Sequence, residues 1–98
     1  MRTRPSVWET WVARFKAKDY AGLYDLYSKE WRRESPFEEW KTKVLANLSG
    51  YASFIERARY AGTKFDGDRA RLALNMPGSP RPFTISLVRV DGEWRFAD

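Results

Sequence analysis

The spacing of apolar residues changes period at Gly50. Before it they recur three and four residues apart, and after it they alternate. A helix repeats about every 3.6 residues and a strand every two, so neither pattern can serve the other element. A chain that keeps the two periods in separate halves builds helices first and strands second. That order indicates an α+β domain with an antiparallel sheet, because a parallel sheet needs helices interleaved between its strands.

Three helices are expected in the first half. Ser6 to Glu9 reads S-x-x-E, a capping box in which two helix-end N–H groups are satisfied reciprocally. Val7, Trp8, Trp11, Val12 and Phe15 then fall on one helical face, with Arg14, Lys16 and Lys18 opposite. Asp19 reads as the next cap. Tyr20, Leu23, Tyr24, Tyr27 and Trp31 continue a second helix into Arg32-Arg33-Glu34, with Gly22 a weakness within it. Ser35-Pro36-Phe37-Glu38 is another S-x-x-E box with proline at the first helical position. Phe37, Trp40, Val44, Leu45 and Leu48 follow, and Gly50 supplies the stop.

Four strands are expected in the second half. The first runs from Phe54 to Ala61, and Phe65-Asp66-Gly67-Asp68 turns the chain. Ala70, Leu72, Leu74 and Met76 alternate with Arg69, Arg71, Ala73 and Asn75, the mark of a half-buried strand. The prolines at 77, 80 and 82 keep that stretch out of a paired strand. Phe83, Ile85 and Leu87 resume the alternation, Asp91-Gly92 makes a hairpin turn, and Trp94 and Phe96 close the sheet. No internal repeat or linker divides residues 1–98, which read as a single domain.

Composition bears on chemistry mainly through what is missing. There is no histidine and no cysteine. Imidazole bases, Ser-His pairs, thiol nucleophiles, disulfides and the usual zinc ligands are excluded. No Gly-rich loop precedes a helix, and no ligand constellation suggests a metal, so no cofactor is expected. The net charge of +5 permits an acidic partner and is spread along the chain without a basic block. No run is long and apolar enough for a membrane span. Residues 1–5 have no apolar segment behind them. A native Met1 then implies the cytoplasm, whereas removal of a leader or anchor would imply an extracytoplasmic domain.

The amphipathic first helix, the step Lys16, Asp19, Tyr20 into the second, the third helix and the closing Asp91-Gly92-x-Trp94-x-Phe96 together resemble the nuclear-transport-factor-2-like, or cystatin-like, superfamily. The likeness runs over nearly the whole chain and is greatest to small bacterial members of unknown function and to lumazine-binding-like domains. It implies a curved antiparallel sheet wrapped around a helix as a cone, and a homodimer. The superfamily includes isomerases, dehydratases, polyketide cyclases, transport adaptors and accessory domains. Its enzymes place Asp, Tyr and often His inside the cone, and this chain has no His.

Sixteen aromatic residues are the richest resource for a site. Trp8, Trp11, Tyr24, Tyr27, Trp40, Tyr60, Phe83 and Trp94 sit at the spacing of a packed core, and the alternative is that some of them line a pocket. Trp11, Tyr24, Tyr27, Tyr60 and Trp94 are the pocket candidates, because a buried Tyr hydroxyl or indole needs a partner. Strand parity with Phe54, Ala58 and Tyr60 would aim Glu56 inward as a lone carboxylate; the alternatives are an arginine partner across the sheet, or a register in which Ile55 is inward and Glu56 lies outside. Asp25 is a second acid to weigh, although its helical phase faces solvent. Arg57 with Arg59, and Arg69 with Arg71, would share one sheet face. That face would be a solvated surface, an anion or nucleic-acid site, or a dimer interface. No aromatic RNA-binding motif or helix-turn-helix signal accompanies it, so nucleic acid is not the expected partner.

The leading expectation is a noncatalytic domain that binds a small apolar ligand or assembles with protein. The alternative is an isomerase- or dehydratase-type enzyme using Tyr and a carboxylate. A second alternative is anion or nucleic-acid binding on the arginine face.

Overall fold

The computed structural model describes residues 7–97. Ser6, the first expected cap, lies outside the described residues, as do residues 1–5 at the N-terminus. The fold is α+β: five helices pack on a four-stranded antiparallel sheet.

Helix α1 spans Val7–Lys16 and buries Trp8 and Trp11. It ends where Lys18 turns left-handed at φ 59°. The Lys18 amide then reaches the Phe15 carbonyl and the Asp19 amide that of Arg14, closing two orphan carbonyls. Asp19 caps α2 (Tyr20–Tyr24), accepting from the Gly22 amide at 3.0 Å. A Cβ on Gly22 would lie 2.3 Å from the Asp19 carboxylate, so the glycine makes room for the cap.

The expected second helix is broken. It divides into α2 and α3 (Lys29–Glu34) because residues 26–28 pair with the last strand. The Ser28 amide donates to the Phe96 carbonyl, and the Phe96 amide to that of Leu26, both at 2.7 Å. Buried Ser28 then caps α3 through the Trp31 amide at 3.1 Å. The Ser35 box is not made: Pro36 is the N-cap of α4 (Phe37–Ala46), without a side-chain bond.

Gly50 does not stop the third helix. The chain turns at Asn47 and continues as α5, Leu48–Arg57, straight through Gly50. The Asn47 side chain lies over Gly50, where a Cβ would come within 2.4 Å of its carbonyl oxygen. Phe54, Glu56 and Arg57 are therefore helical, and the strand expected from Phe54 begins later.

Strands β1 (Arg59–Asp66), β2 (Arg69–Asn75), β3 (Phe83–Val90) and β4 (Glu93–Phe96) form a simple meander in the order 1-2-3-4. Asp91 and Gly92, at φ 51° and 78°, make the β3–β4 turn that an Asp-Gly pair suits. Ala70, Leu72 and Leu74 face the helices, as their alternation requires. Phe65, Ala70, Leu87 and Phe96 are neighbours across the four strands. The Phe65 and Trp94 rings, from opposite edges, stand 5.3 Å apart. Leu23, Leu72, Leu74 and Val44 are the most completely enclosed side chains. Among the described residues no helix is long and apolar enough to cross a membrane.

Candidate functional site

Helix α1 lies over the inner face of the sheet and separates two depressions. One is a groove of about 510 Å³ between α1, α5 and β3. Its walls follow from helical phase. Trp8 and Trp11 project from α1 and stack with ring centres 5.5 Å apart. Tyr51 and Phe54 project from α5, where the spacing of three puts both on the side facing α1. Phe54 meets Trp8 edge-on at 6.0 Å and Phe83 of β3 at 5.6 Å, so the wall continues from helix to sheet. Such offset and edge-on contacts each add about 0.5–1.5 kcal/mol beyond buried area.

The floor carries one hydrogen-bonded pair. The Trp11 indole donates to the Tyr27 hydroxyl at 3.1 Å. Tyr27 is placed by the break before α3 and by its ring contacts with Trp31 at 4.0 Å and Phe96 at 5.5 Å. Burial pushes the Tyr27 hydroxyl above the ordinary tyrosine range; donation from the Trp11 indole only partly offsets this, and the neighbouring Tyr51 adds to it. The group stays protonated at neutral pH. At the mouth stand Asn47, Gly50 and Thr84, and no charged side chain lines the groove.

The raised value has a stability consequence. In the unfolded chain Tyr27 ionises near pH 10, whereas in the folded chain it holds its proton to higher pH. The unfolded state then binds fewer protons, so stability is full below about pH 10 and falls as pH rises through the folded value, by at most about 1.4 kcal/mol per pH unit. Tyr27→Phe should lose some stability at neutral pH and decline less steeply above pH 10. Urea unfolding stepped from neutral to alkaline pH checks it, and identical alkaline slopes would refute it.

The second depression, about 460 Å³, lies on the other side of α1, bounded by Thr10, Arg14, Tyr60, Phe65, Trp94 and Arg95 among others. Its acids are not sequestered. Asp25 is exposed and pairs with Arg32 at 3.3 Å, and Glu93 is exposed and pairs with Arg95 at 3.1 Å. The Tyr60 hydroxyl is bonded to Thr63.

The pocket candidates thus divide. Trp11 and Tyr27 meet in the aromatic groove, while Tyr60 and Trp94 border the second depression. Tyr24 lines neither: its hydroxyl donates to the Ser35 carbonyl at 2.6 Å and lies 3.0 Å from that of Arg32, tying α2 to the end of α3. Glu56 does not point inward, because it sits on the exposed side of α5 rather than on a strand. The basic face is also corrected. Arg57 ends α5, and Arg59 lies opposite Asn75 at the far end of β1 from Arg69 and Arg71. The outward cross-strand neighbour of Arg71 is Lys64, and that of Arg69 is Asp66. Sequence reasoning missed Asn47, Tyr51 and Phe54 as walls, although Leu48, Tyr51, Ala52 and Ile55 already carry helical spacing.

No family model, curated protein or solved structure matches this chain.

Proposed function

We propose that the chain is a noncatalytic binding domain whose aromatic groove takes a neutral, flat, apolar ligand. The observation that carries this reading is the lining. A groove of about 510 Å³ falls in the ~300–1,000 Å³ range of ligand clefts. Indole, phenol and phenyl rings form its walls, and its polar groups are uncharged. A charged ligand would lose its hydration there without a counter-charge. The noncatalytic part is supported by the acids. No Asp or Glu lines the groove, and Asp25 and Glu56 are both exposed. The resemblance to the nuclear-transport-factor-2-like superfamily belongs to the same proposal, and helices packed on a four-stranded antiparallel meander are consistent with it.

The test uses a neutral phenyl-naphthylamine dye as probe, read by its own emission and by quenching of tryptophan. Phe83 stands at the rim and is 51% exposed, so Phe83→Asp introduces a charge at a folding cost of about 1 kcal/mol, the lost edge-on contact with Phe54. Dye affinity should fall at least about tenfold, the effect of one lost apolar contact plus a desolvated charge. Leu45→Asp, on an equally open site of α4 outside the groove, should leave affinity unchanged. Absence of dye binding to the wild type, or equal losses in both variants, would refute the groove as a site.

A further inference from the structure

Strand β1 is an edge, and the described residues leave it unpaired on one side. Six of its eight residues are exposed, including Tyr60 at 46% and Phe65 at 66%. An exposed edge of this length presents a row of unmet N–H and C=O groups and is a template for another strand. The residues along it identify the strand that fits.

The register with β2 assigns each β1 residue to a face. Tyr60, Thr63 and Phe65 lie opposite Leu74, Leu72 and Ala70, and so face inward. Arg59, Gly62, Lys64 and Asp66 lie opposite Asn75, Ala73, Arg71 and Arg69, and face outward. Ala61 is the extra residue of a bulge. A second copy of β1, antiparallel about a two-fold axis at Thr63, preserves every one of these faces. Tyr60 then lies beside Phe65 of the second copy, both inward. Arg59 lies beside Asp66 of the second copy, both outward. Lys64 falls opposite Gly62, which has no side chain to obstruct it. Because the axis is two-fold, each pairing occurs twice.

We propose that β1 pairs with β1 of a second copy in this register, joining the two sheets edge to edge into one of eight strands. Aromatic and opposite-charge neighbours are the pairs that stabilise antiparallel strands. Lysine and a bulge commonly blunt an edge, yet here each bulge receives the lysine of the other copy. Asp66 has no ion-pair partner among the described residues of its own chain. Arg59 bonds only the carbonyls of Glu56 and Ala58, leaving donors for a carboxylate. The inference is independent of the groove, which lies on the far side of α1.

Sedimentation velocity of the full chain over a concentration series tests it. The wild type should show a monomer–dimer equilibrium. Arg59→Asp and Asp66→Arg should each raise the dissociation constant about tenfold or more, since each sets two like-charge pairs side by side. The double variant Arg59→Asp/Asp66→Arg should restore association, which lost folding could not do. Phe65→Glu should also weaken it, and its cost to the monomer, the ring contact with Trp94, is read separately by urea unfolding. A monomeric wild type at every soluble concentration overturns the proposal. So does a dimer indifferent to both single reversals, or a double variant no tighter than the singles.

Discussion

Trp11→Ala should destabilise the fold by about 4 kcal/mol, within the range for truncating a buried aromatic. Trp11 is only 6% exposed and is the residue on which the groove converges. Its ring stacks on Trp8 and, at 5.4 Å, on Phe15, and touches Tyr51 at 6.0 Å. Its N–H is the donor to Tyr27. Alanine removes those contacts and leaves a void between helix α1 and helix α5 that neither backbone can close. Trp11→Phe retains most of the stack and loses mainly the donor, so its cost should be about 1–2 kcal/mol. Urea unfolding of the three proteins gives both differences. A domain of this size holds roughly 5–15 kcal/mol in total, so the alanine variant should be partly unfolded at modest denaturant. A loss below about 1.5 kcal/mol for Trp11→Ala would mean that the aromatic wall is not a packed unit.

Strands β2 to β4 were more legible than the helices, for a physical reason. Ala70, Leu72 and Leu74 alternate with Arg69, Arg71 and Ala73, and only one face of β2 meets the helices, so the sequence pattern and the burial coincide. The Asp91-Gly92 turn is equally local, since both residues adopt the positive φ that this pair tolerates. The helical half depends on contacts that spacing cannot reveal. Tyr20, Leu23, Tyr24, Tyr27 and Trp31 keep an unbroken helical period, yet the chain leaves the helix after Tyr24 and residues 26–28 pair with β4. Gly50 reads as a terminator, yet the helix runs through it, and the Asn47 side chain occupies the space a Cβ there would need. That one misreading moved Glu56 from a helix surface to an imagined strand interior. It also removed Tyr51 and Phe54 from the aromatic groove, so Trp11 and Tyr27 were the legible part of the site.

The break at Ser28 is where the second large effect is expected. Ser28 is 3% exposed and serves two elements at once. Its amide donates to the Phe96 carbonyl, attaching residues 26–28 to β4, and its hydroxyl caps α3 through Trp31. Ser28→Ala removes only the cap, at a cost of about 1 kcal/mol. Ser28→Pro removes the amide as well. The backbone there, at φ −65°, is already that of proline, so the change adds little conformational strain. What remains is the lost bond, a buried Phe96 carbonyl without its donor, and the lost cap, together about 3 kcal/mol. Thermal and urea unfolding of the two variants separates the contributions. Amide exchange at Phe96, whose own N–H bonds Leu26, should accelerate in the proline variant and stay slow in the alanine variant. If proline costs no more than alanine, the pairing between residues 26–28 and β4 carries no energy, and the division of the second helix must have another cause.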